Sequence, residues 1–529
     1  MTYIMSRWIA GVAGVTLMSC AIMAQAGAED TNPIGRFEIV RFDVQGNTLL
    51  PVPVVDRLLA PFAGKERDFG SVQMALEALE AAYRQQGYNL VKVVLPEQEL
   101  NHGVVQLRVI ETRIGKITVA GNKYHDAANI RRSLPGLREG ESPNLADVSA
   151  SLKLANENPA KQTTLQLQSG DQDDQVNAVL AVTDEKPWTA AVGLDNTGVG
   201  NTGRNHLTVQ YQNANVGGLD HVMSMQYTTS LAQPDQVKVF GAGYHVPLYA
   251  QGDSLDFYGS YSDVNSGMVS AGLLNLAVSG AGRVFGARYN HNLNRIGDYD
   301  SKVIFGIDYK AFENNISLSG TPLGNDVTVH PVSLTYTGNW VGTGKVANFY
   351  LSGLRNIPGG DNGGSADFNL ARAGASADYS ILRYGASYTR VLPQDWQLRM
   401  VLNGQITADA LVQGEQFGAG GASSVRGFNE REIANDRGRS TNAELYTPNL
   451  CTGTAQCRLL GFYDTGYLSR NNALPGEETK ESIGSVGLGA RLNAERNLAL
   501  QLDYAQVVDA SDTTPRGSHR LHFRMVFTY

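Results

Sequence analysis

Leu521-His522-Phe523-Arg524-Met525-Val526-Phe527-Thr528-Tyr529, the end of the chain, places an apolar side chain at every second position and finishes on an aromatic ring. Successive side chains of a strand point to opposite faces, so Leu521, Phe523, Met525, Phe527 and Tyr529 share one face. The same period of two recurs in Val303-x-Phe305-x-Ile307-x-Tyr309, Val332-x-Leu334-x-Tyr336 and Leu498-x-Leu500-x-Leu502-x-Tyr504, and it runs from Trp188 onward. The opposite face carries Asn, Ser, Thr, Asp, Arg and Gln. A compact sandwich core could not bury those groups, whereas a water-filled lumen solvates them and leaves the apolar face to lipid. The pattern predicts a transmembrane β-barrel.

Roughly 340 residues over 187–529 accommodate sixteen antiparallel strands at about 21 residues per strand and connection, and an even count returns the chain to its starting side. Short links such as Pro393-Gln394-Asp395 and Asn493 to Asn497 alternate with long ones such as Ala410 to Arg439, as expected of periplasmic turns and surface loops. Composition agrees. The 58 Gly, 23 Tyr and 18% charged residues suit many short strands and turns, and a net charge of −8 argues against nucleic acid as a partner. Composition by itself also suits a secreted β-rich protein. After the N-terminal segment, no apolar run approaches the ~18 residues of a membrane-spanning helix.

Arg7, an apolar stretch from Ile9 to Met23 and Ala24-Gln25-Ala26 read as a signal peptide over 1–26. Leu17-Met18-Ser19-Cys20 is a poor lipoprotein site, so Cys20 leaves with the leader. The remaining cysteines, Cys451 and Cys457, lie close together in an exported chain, where an oxidising compartment favours a local disulfide.

Val44-Gln45-Gly46-Asn47 recurs 75 residues later as Val119-Ala120-Gly121-Asn122, each closing a short apolar strand with a Gly-Asn turn. Two α+β modules of order β-α-α-β-β are expected, over 37–112 and 113–186. In the first, Val72, Leu76, Leu79 and Tyr83 form the apolar face of a helix from Ser71 to Gln86. Each small sheet has edge strands able to accept a strand from another chain.

Gly198-x-Gly200-x-x-Gly203 has dinucleotide-fingerprint spacing, but alternating Leu207-x-Val209-x-Tyr211 follows it instead of a helix, so it reads as a surface hairpin. Asp171, Asp173 and Asp174 lack the Gly and distant Glu of a calcium loop. No nucleophile elbow, HExxH or phosphate loop is present, and neither an enzyme, a cofactor nor a metal site is expected.

Ser424-Val425-Arg426-Gly427-Phe428 sets an arginine in a loop that also carries Gly418, Gly420 and Gly421, between strands 11 and 12. Phe462-x-Asp464-x-Gly466 on strand 13 offers it an inward-facing acid. A bidentate guanidinium–carboxylate pair would pin the loop to the wall. The bland reading is one more lumen arginine. Apolar Val425 and Phe428 on either side favour a tip that docks.

Signal peptide, two repeats, sixteen strands, Val-Arg-Gly-Phe in the sixth surface loop, Phe-x-Asp-x-Gly on strand 13 and an aromatic C-terminus together resemble the two-partner secretion transporters of the Gram-negative outer membrane, of the ShlB/FhaC/HecB haemolysin secretion and activation type. The resemblance implies that the repeats are periplasmic polypeptide-transport-associated (POTRA) domains that recognise an unfolded exoprotein of β-helical adhesin or haemolysin type, which the barrel then secretes and can activate. It implies that Arg426 pairs with Asp464 to hold the loop in the pore, with Val425, Gly427 and Phe428 shaping its tip and Phe462 and Gly466 completing the wall motif. Phe527 and Tyr529 would be read by the barrel assembly machinery. Lipid and lipopolysaccharide are the expected surroundings of a protein working as a monomer. Some members carry a plug helix, but Gly27 to Arg36, about ten residues or 15 Å of helix, are too few to thread a ~30 Å membrane. The rival readings are a barrel insertase of the same superfamily and a diffusion porin.

Overall fold

The computed structural model describes residues 35–529 except 101, 199–202, 263–266, 272–273, 279–280, 314–316, 319–320, 323–324 and 496. The leader, nearly all of the segment up to Arg36, and Gly200 of the glycine hairpin lie outside the described residues.

In the first α+β module, strand Arg41–Gln45 runs parallel to Val104–Ile110, which pairs in turn with Lys92–Val94. Helices Val52–Leu59 and Phe69–Gln85 follow the first strand. The second helix begins earlier than its apolar pattern suggests, because the Asp68 carboxylate accepts from the Ser71 amide (2.9 Å) and hydroxyl (2.8 Å) and caps it. Val72, Leu79 and Tyr83 of the expected face are buried together with Ala75, while Leu76 is half-buried at the margin of that face. The expected strand from Phe37 to Val44 is interrupted at Val40, whose amide donates to Gly103. Its first piece, Phe37–Ile39, pairs instead with a short strand Gly64–Arg67 that the sequence pattern does not announce. Ile39, Val72 and Val105 pack with Phe37, Phe42, Ala63 and Leu95 as the core.

The second module repeats the plan. Strand Arg113–Ala120 is parallel to Gln175–Asp184, with Lys161–Ser169 antiparallel at the other edge. Asp126 and Asn144 cap helices Ala127–Arg132 and Leu145–Ala155. The repeated Gly-Asn turn does the same work twice. Gly46 and Gly121 adopt φ +81° and +86°, and a Cβ at either would fall 2.5 Å from the Val109 carbonyl or 2.4 Å from that of Val182, so neither admits a side chain. The amides of Asn47 and Asn122 then donate to the carbonyls of Leu50 and His125, at 2.9 and 2.7 Å.

Sixteen antiparallel strands close a barrel, from Trp188–Asp195 to His519–Thr528, each paired with its neighbour in sequence and the last with the first from Arg524↔Asp195 to Thr528↔Ala191. The eighth strand is broken at His330 into Val327–Val329 and Pro331–Gly342, both paired with the seventh, Tyr299–Glu313. Closure leaves no sheet edge, as hydrocarbon surroundings require. Alternation sets apolar side chains outside and polar ones within along most of the wall. Phe305, Leu488 and Phe527 stand 53%, 70% and 50% exposed on the outside, while Asp464, Asp503 and His522 are buried within. Exposed apolar area of this kind costs about 25 cal/mol per Å² in water and nothing against acyl chains.

The second module is fixed to the near-side turns of the barrel by a buried polar network. Lys161 is paired with Asp220 of the turn after strand His206–Val216, and it donates to Asn129 at 3.0 Å. Burial pulls the Lys161 ammonium below the ordinary lysine range, while the Asp220 carboxylate resists that shift. Tyr249 donates its hydroxyl to Asp220 (2.8 Å), Asn158 donates to the Ala214 carbonyl (2.7 Å), and Lys153 pairs with Asp300 at 2.7 Å.

Candidate pore-loop site

Residues 407–436 join strand 11, Gln397–Ile406, to strand 12, Arg437–Tyr446, on the far side of the barrel. The segment narrows into a small hairpin, Phe417–Ala419 with Ile433–Asn435, whose tip carries Arg426 to the inner wall. Arg426 is 3% exposed. Its Nε and Nη2 donate to the two oxygens of Asp464 on strand 13, Gln456–Ser469, at 2.6 and 2.8 Å, and its backbone N–H adds a third bond at 3.2 Å. This is the parallel fork that only arginine makes.

The rest of the strand-13 motif follows from alternation. Phe462, Asp464 and Gly466 all face inward. The Phe462 ring lies 3.5 Å beneath the guanidinium. At Gly466 a Cβ would stand 3.0 Å from Ala419 Cβ and 3.3 Å from Val425 Cγ2, so the missing side chain is the space the tip occupies. Val425 and Phe428 are fully buried among Ala419, Ile433, Leu468, Ile483 and Val507. Gly427 takes φ +96° and donates its N–H to His522 Nε2 at 2.9 Å.

Further wall residues complete the site without having been singled out in the sequence. Glu444 on strand 12 and Asp503 on strand 15, Leu498–Asp509, approach Arg426 Nη1 at 2.9 and 3.3 Å. Arg399 pairs with Glu444 at 2.8 Å, and Arg491 of strand 14, Lys480–Ala494, with Asp503 at 2.9 Å. Three arginines thus face three carboxylates, and desolvated charge is neutralised. Asn442 supports Asp464 at 2.8 Å and also holds the Ser424 carbonyl. Each occupies a polar position of an alternating strand, which announces the lumen face but not the depth.

A second tier anchors the base of the loop. Glu415 is fully buried between Lys310 (2.7 Å) and Arg383 (2.9 Å). Asp436, also fully buried, binds Arg372 and accepts from the Leu411 and Asn471 amides at 2.8 and 2.7 Å. Glu432 reaches the loop between strands 15 and 16, accepting from Ser511 and Thr514 at 2.6 Å and from Thr513. Burial works against its ionised form, but those hydroxyls win and hold the carboxyl down at about 2.

Cys451 and Cys457 are joined in the near-side connection between strands 12 and 13. Tyr529 exchanges backbone bonds with Ala190 (2.8 and 3.2 Å) and sets its ring 5.7 Å from Trp188, while Phe527 faces outward between neighbouring strands. Among the described residues no cluster of His, Cys, Asp and Glu could hold a metal ion.

A closed sixteen-strand barrel preceded by α+β modules and entered by an arginine-tipped loop defines a transporter of the POTRA-plus-barrel class. The family model of haemolysin secretion/activation proteins ShlB/FhaC/HecB matches residues 175–492, and that of the ShlB-type POTRA domain matches 37–112. The chain belongs to the ShlB/FhaC/HecB haemolysin secretion/activation family. Outer membrane transporter CdiB of Escherichia coli O6:K15:H31 is 26% identical over 418 residues, which span 77% of this chain and 68% of that protein. Heme/hemopexin transporter protein HuxB of Haemophilus influenzae is 22% identical over 490 residues, 89% of this chain and 83% of that protein. The solved structure of CdiB from Escherichia coli shares the fold with a TM-score of 0.72 at 21% identity, covering 96% of this chain and 93% of that one. The chain is therefore a two-partner secretion translocator of the outer membrane, with its POTRA region in the periplasm. The near-side turns face the periplasm and the far-side loops the exterior.

Proposed function

We propose that this translocator captures one unfolded exoprotein on the free edges of its periplasmic modules and conducts it through the barrel, with the Arg426 tip as the gate. Regions 37–112 and 113–186 act as the two POTRA domains. The Lys161–Ser169 edge strand, open from Gln166 to Ser169, offers backbone groups to an extended segment. The observation that carries the reading is the Arg426–Asp464 fork, which fastens the tip of a long loop to the inner wall of the lumen. Direction comes from the cargo. Apolar surface buried as it folds outside, at about 25 cal/mol per Å², opposes slippage back.

Depletion of the protein, followed by analysis of the medium and the outer membrane, tests this. Loss of a single secreted protein with normal barrels supports the reading, and broad loss of outer-membrane barrels would assign an assembly factor instead. A pull-down of that secreted protein, unfolded, by the intact transporter then separates a translocator from a diffusion porin.

A further inference from the structure

The periplasmic rim of the barrel carries a cation pair that none of the transport machinery uses. Lys345 and Arg390 stand directly opposite one another where strand 9, Lys345–Asn356, pairs with strand 10, Ser380–Val391. Both alternate in phase with the outward residues Leu351 and Leu382, so both leave the lipid-facing side of the wall. Like charges in direct cross-strand register destabilise a sheet. Among the described residues neither forms an ion pair, so no carboxylate of the described residues neutralises the two charges.

The surroundings fix the depth in the membrane. The Lys345 ammonium lies 4.2 Å over the Trp340 ring, and Trp396 immediately precedes the next strand but one, the two residues being 43% and 37% exposed. The only other described tryptophan, Trp188, sits at the same rim with Lys186 at 5.5 Å. Tryptophan collects where acyl chains meet headgroups, and basic side chains there extend toward phosphate. Above the pair the outward face continues as Ala347 opposite Tyr388 and Phe349 opposite Ala386, an apolar and partly aromatic surface leading toward the acyl region.

We propose that Lys345 and Arg390 form a headgroup site for an anionic phospholipid of the periplasmic leaflet, one phosphate neutralising both cations. A zwitterionic headgroup supplies no net charge and satisfies the pair less well. Each basic residue near an anionic surface corresponds to about fivefold in association.

The test is quenching of tryptophan fluorescence of the full transporter in vesicles containing dibrominated phosphatidylglycerol or, at the same mole fraction, dibrominated phosphatidylcholine. The wild type is expected to show stronger quenching by the anionic lipid, weakening with salt. Lys345→Gln and Arg390→Gln each lower that preference by about fivefold in relative association, and Lys345→Arg retains it. Heat-dependent gel migration checks that each variant is a folded barrel. Equal quenching by both lipids in the wild type, or an undiminished preference in both Gln variants, would overturn the proposal. So would abolition of the preference by free inorganic phosphate at constant ionic strength, which would mark a small-anion site.

Discussion

Gly466 and Val425 occupy one another's space: a Cβ on Gly466 would lie 3.3 Å from Val425 Cγ2, with Ala419 Cβ closer still at 3.0 Å. The wall is therefore shaped to the loop tip as well as charged for it. Gly466→Val should unseat the tip at about 1–3 kcal/mol of overpacking, although every charge of the Arg426–Asp464 pair remains. Single-channel recording in planar bilayers should show longer or larger open levels, and unchanged recordings would refute a steric role.

Arg426→Ala leaves Asp464, Glu444 and Asp503 with only Arg399 and Arg491 to neutralise them. Stranding a buried charge costs about 3–5 kcal/mol, enough to release the tip, so conductance and cation selectivity should both rise. Adding Asp464→Asn removes the excess negative charge and should recover part of the closed state. Arg426→Lys should behave nearly as badly as alanine, since an ammonium cannot make the fork. Bilayer recordings of the wild type, Arg426→Ala, Asp464→Asn and the double variant, treated as a double-mutant cycle, measure this coupling.

The loop has a base as well as a tip. In Arg426→Ala the buried Glu415 and Asp436 anchors persist, so the loop should stay resistant to trypsin added to intact cells. Asp436→Ala strands Arg372 and two amide donors, at about 1–3 kcal/mol or more, and should make arginines of the loop cleavable from outside. Cleavage of both variants alike would contradict two independent tiers.

Lys161→Met should loosen the second module from the barrel, because Asp220 is left charged and buried at a cost of about 3–5 kcal/mol. Lys161→Met combined with Asp220→Asn should be milder than the single change. Distances between spin labels on helix Leu145–Ala155 and on a periplasmic turn would broaden in the first protein and sharpen again in the second.

The Asp184 carboxylate accepts from the amides of Lys123, Tyr124 and His125, each at 2.8 Å. Burial raises its pKa, but the three amides together hold it below the ordinary aspartate value. With the folded value depressed, this stabilisation is complete above the unfolded pKa of about 4 and is lost as pH falls through the folded one. Hydrogen exchange in the second module should therefore accelerate as pH drops below about 4, after correction for the intrinsic rate. Asp184→Asn should remove that dependence and destabilise the module at neutral pH.

Much of this was legible beforehand for a local reason. Alternation fixed which side of each strand meets lipid, and the repeated Gly-Asn turns marked the two modules because a positive φ leaves its mark in residue choice. The short strand Gly64–Arg67 and the break at Val40 were not legible, since each answers to a neighbour distant in sequence. Arg426 and Asp464 could be paired on paper because a lone arginine between apolar residues and an inward acid are unusual in themselves. Glu444, Asp503, Arg399 and Arg491 looked like any lumen residue.

The sequence by itself determined a barrel, its strand count, its two preceding modules and a loop with an arginine at its tip, because periodicity and turn chemistry act over a few residues. Only the tertiary structure decided that three arginines meet three carboxylates, that Gly466 is a socket for Val425, and that the loop is held at its base as well as its tip. Those facts depend on strand register around a closed barrel, where a shift of one residue turns every side chain to the other face.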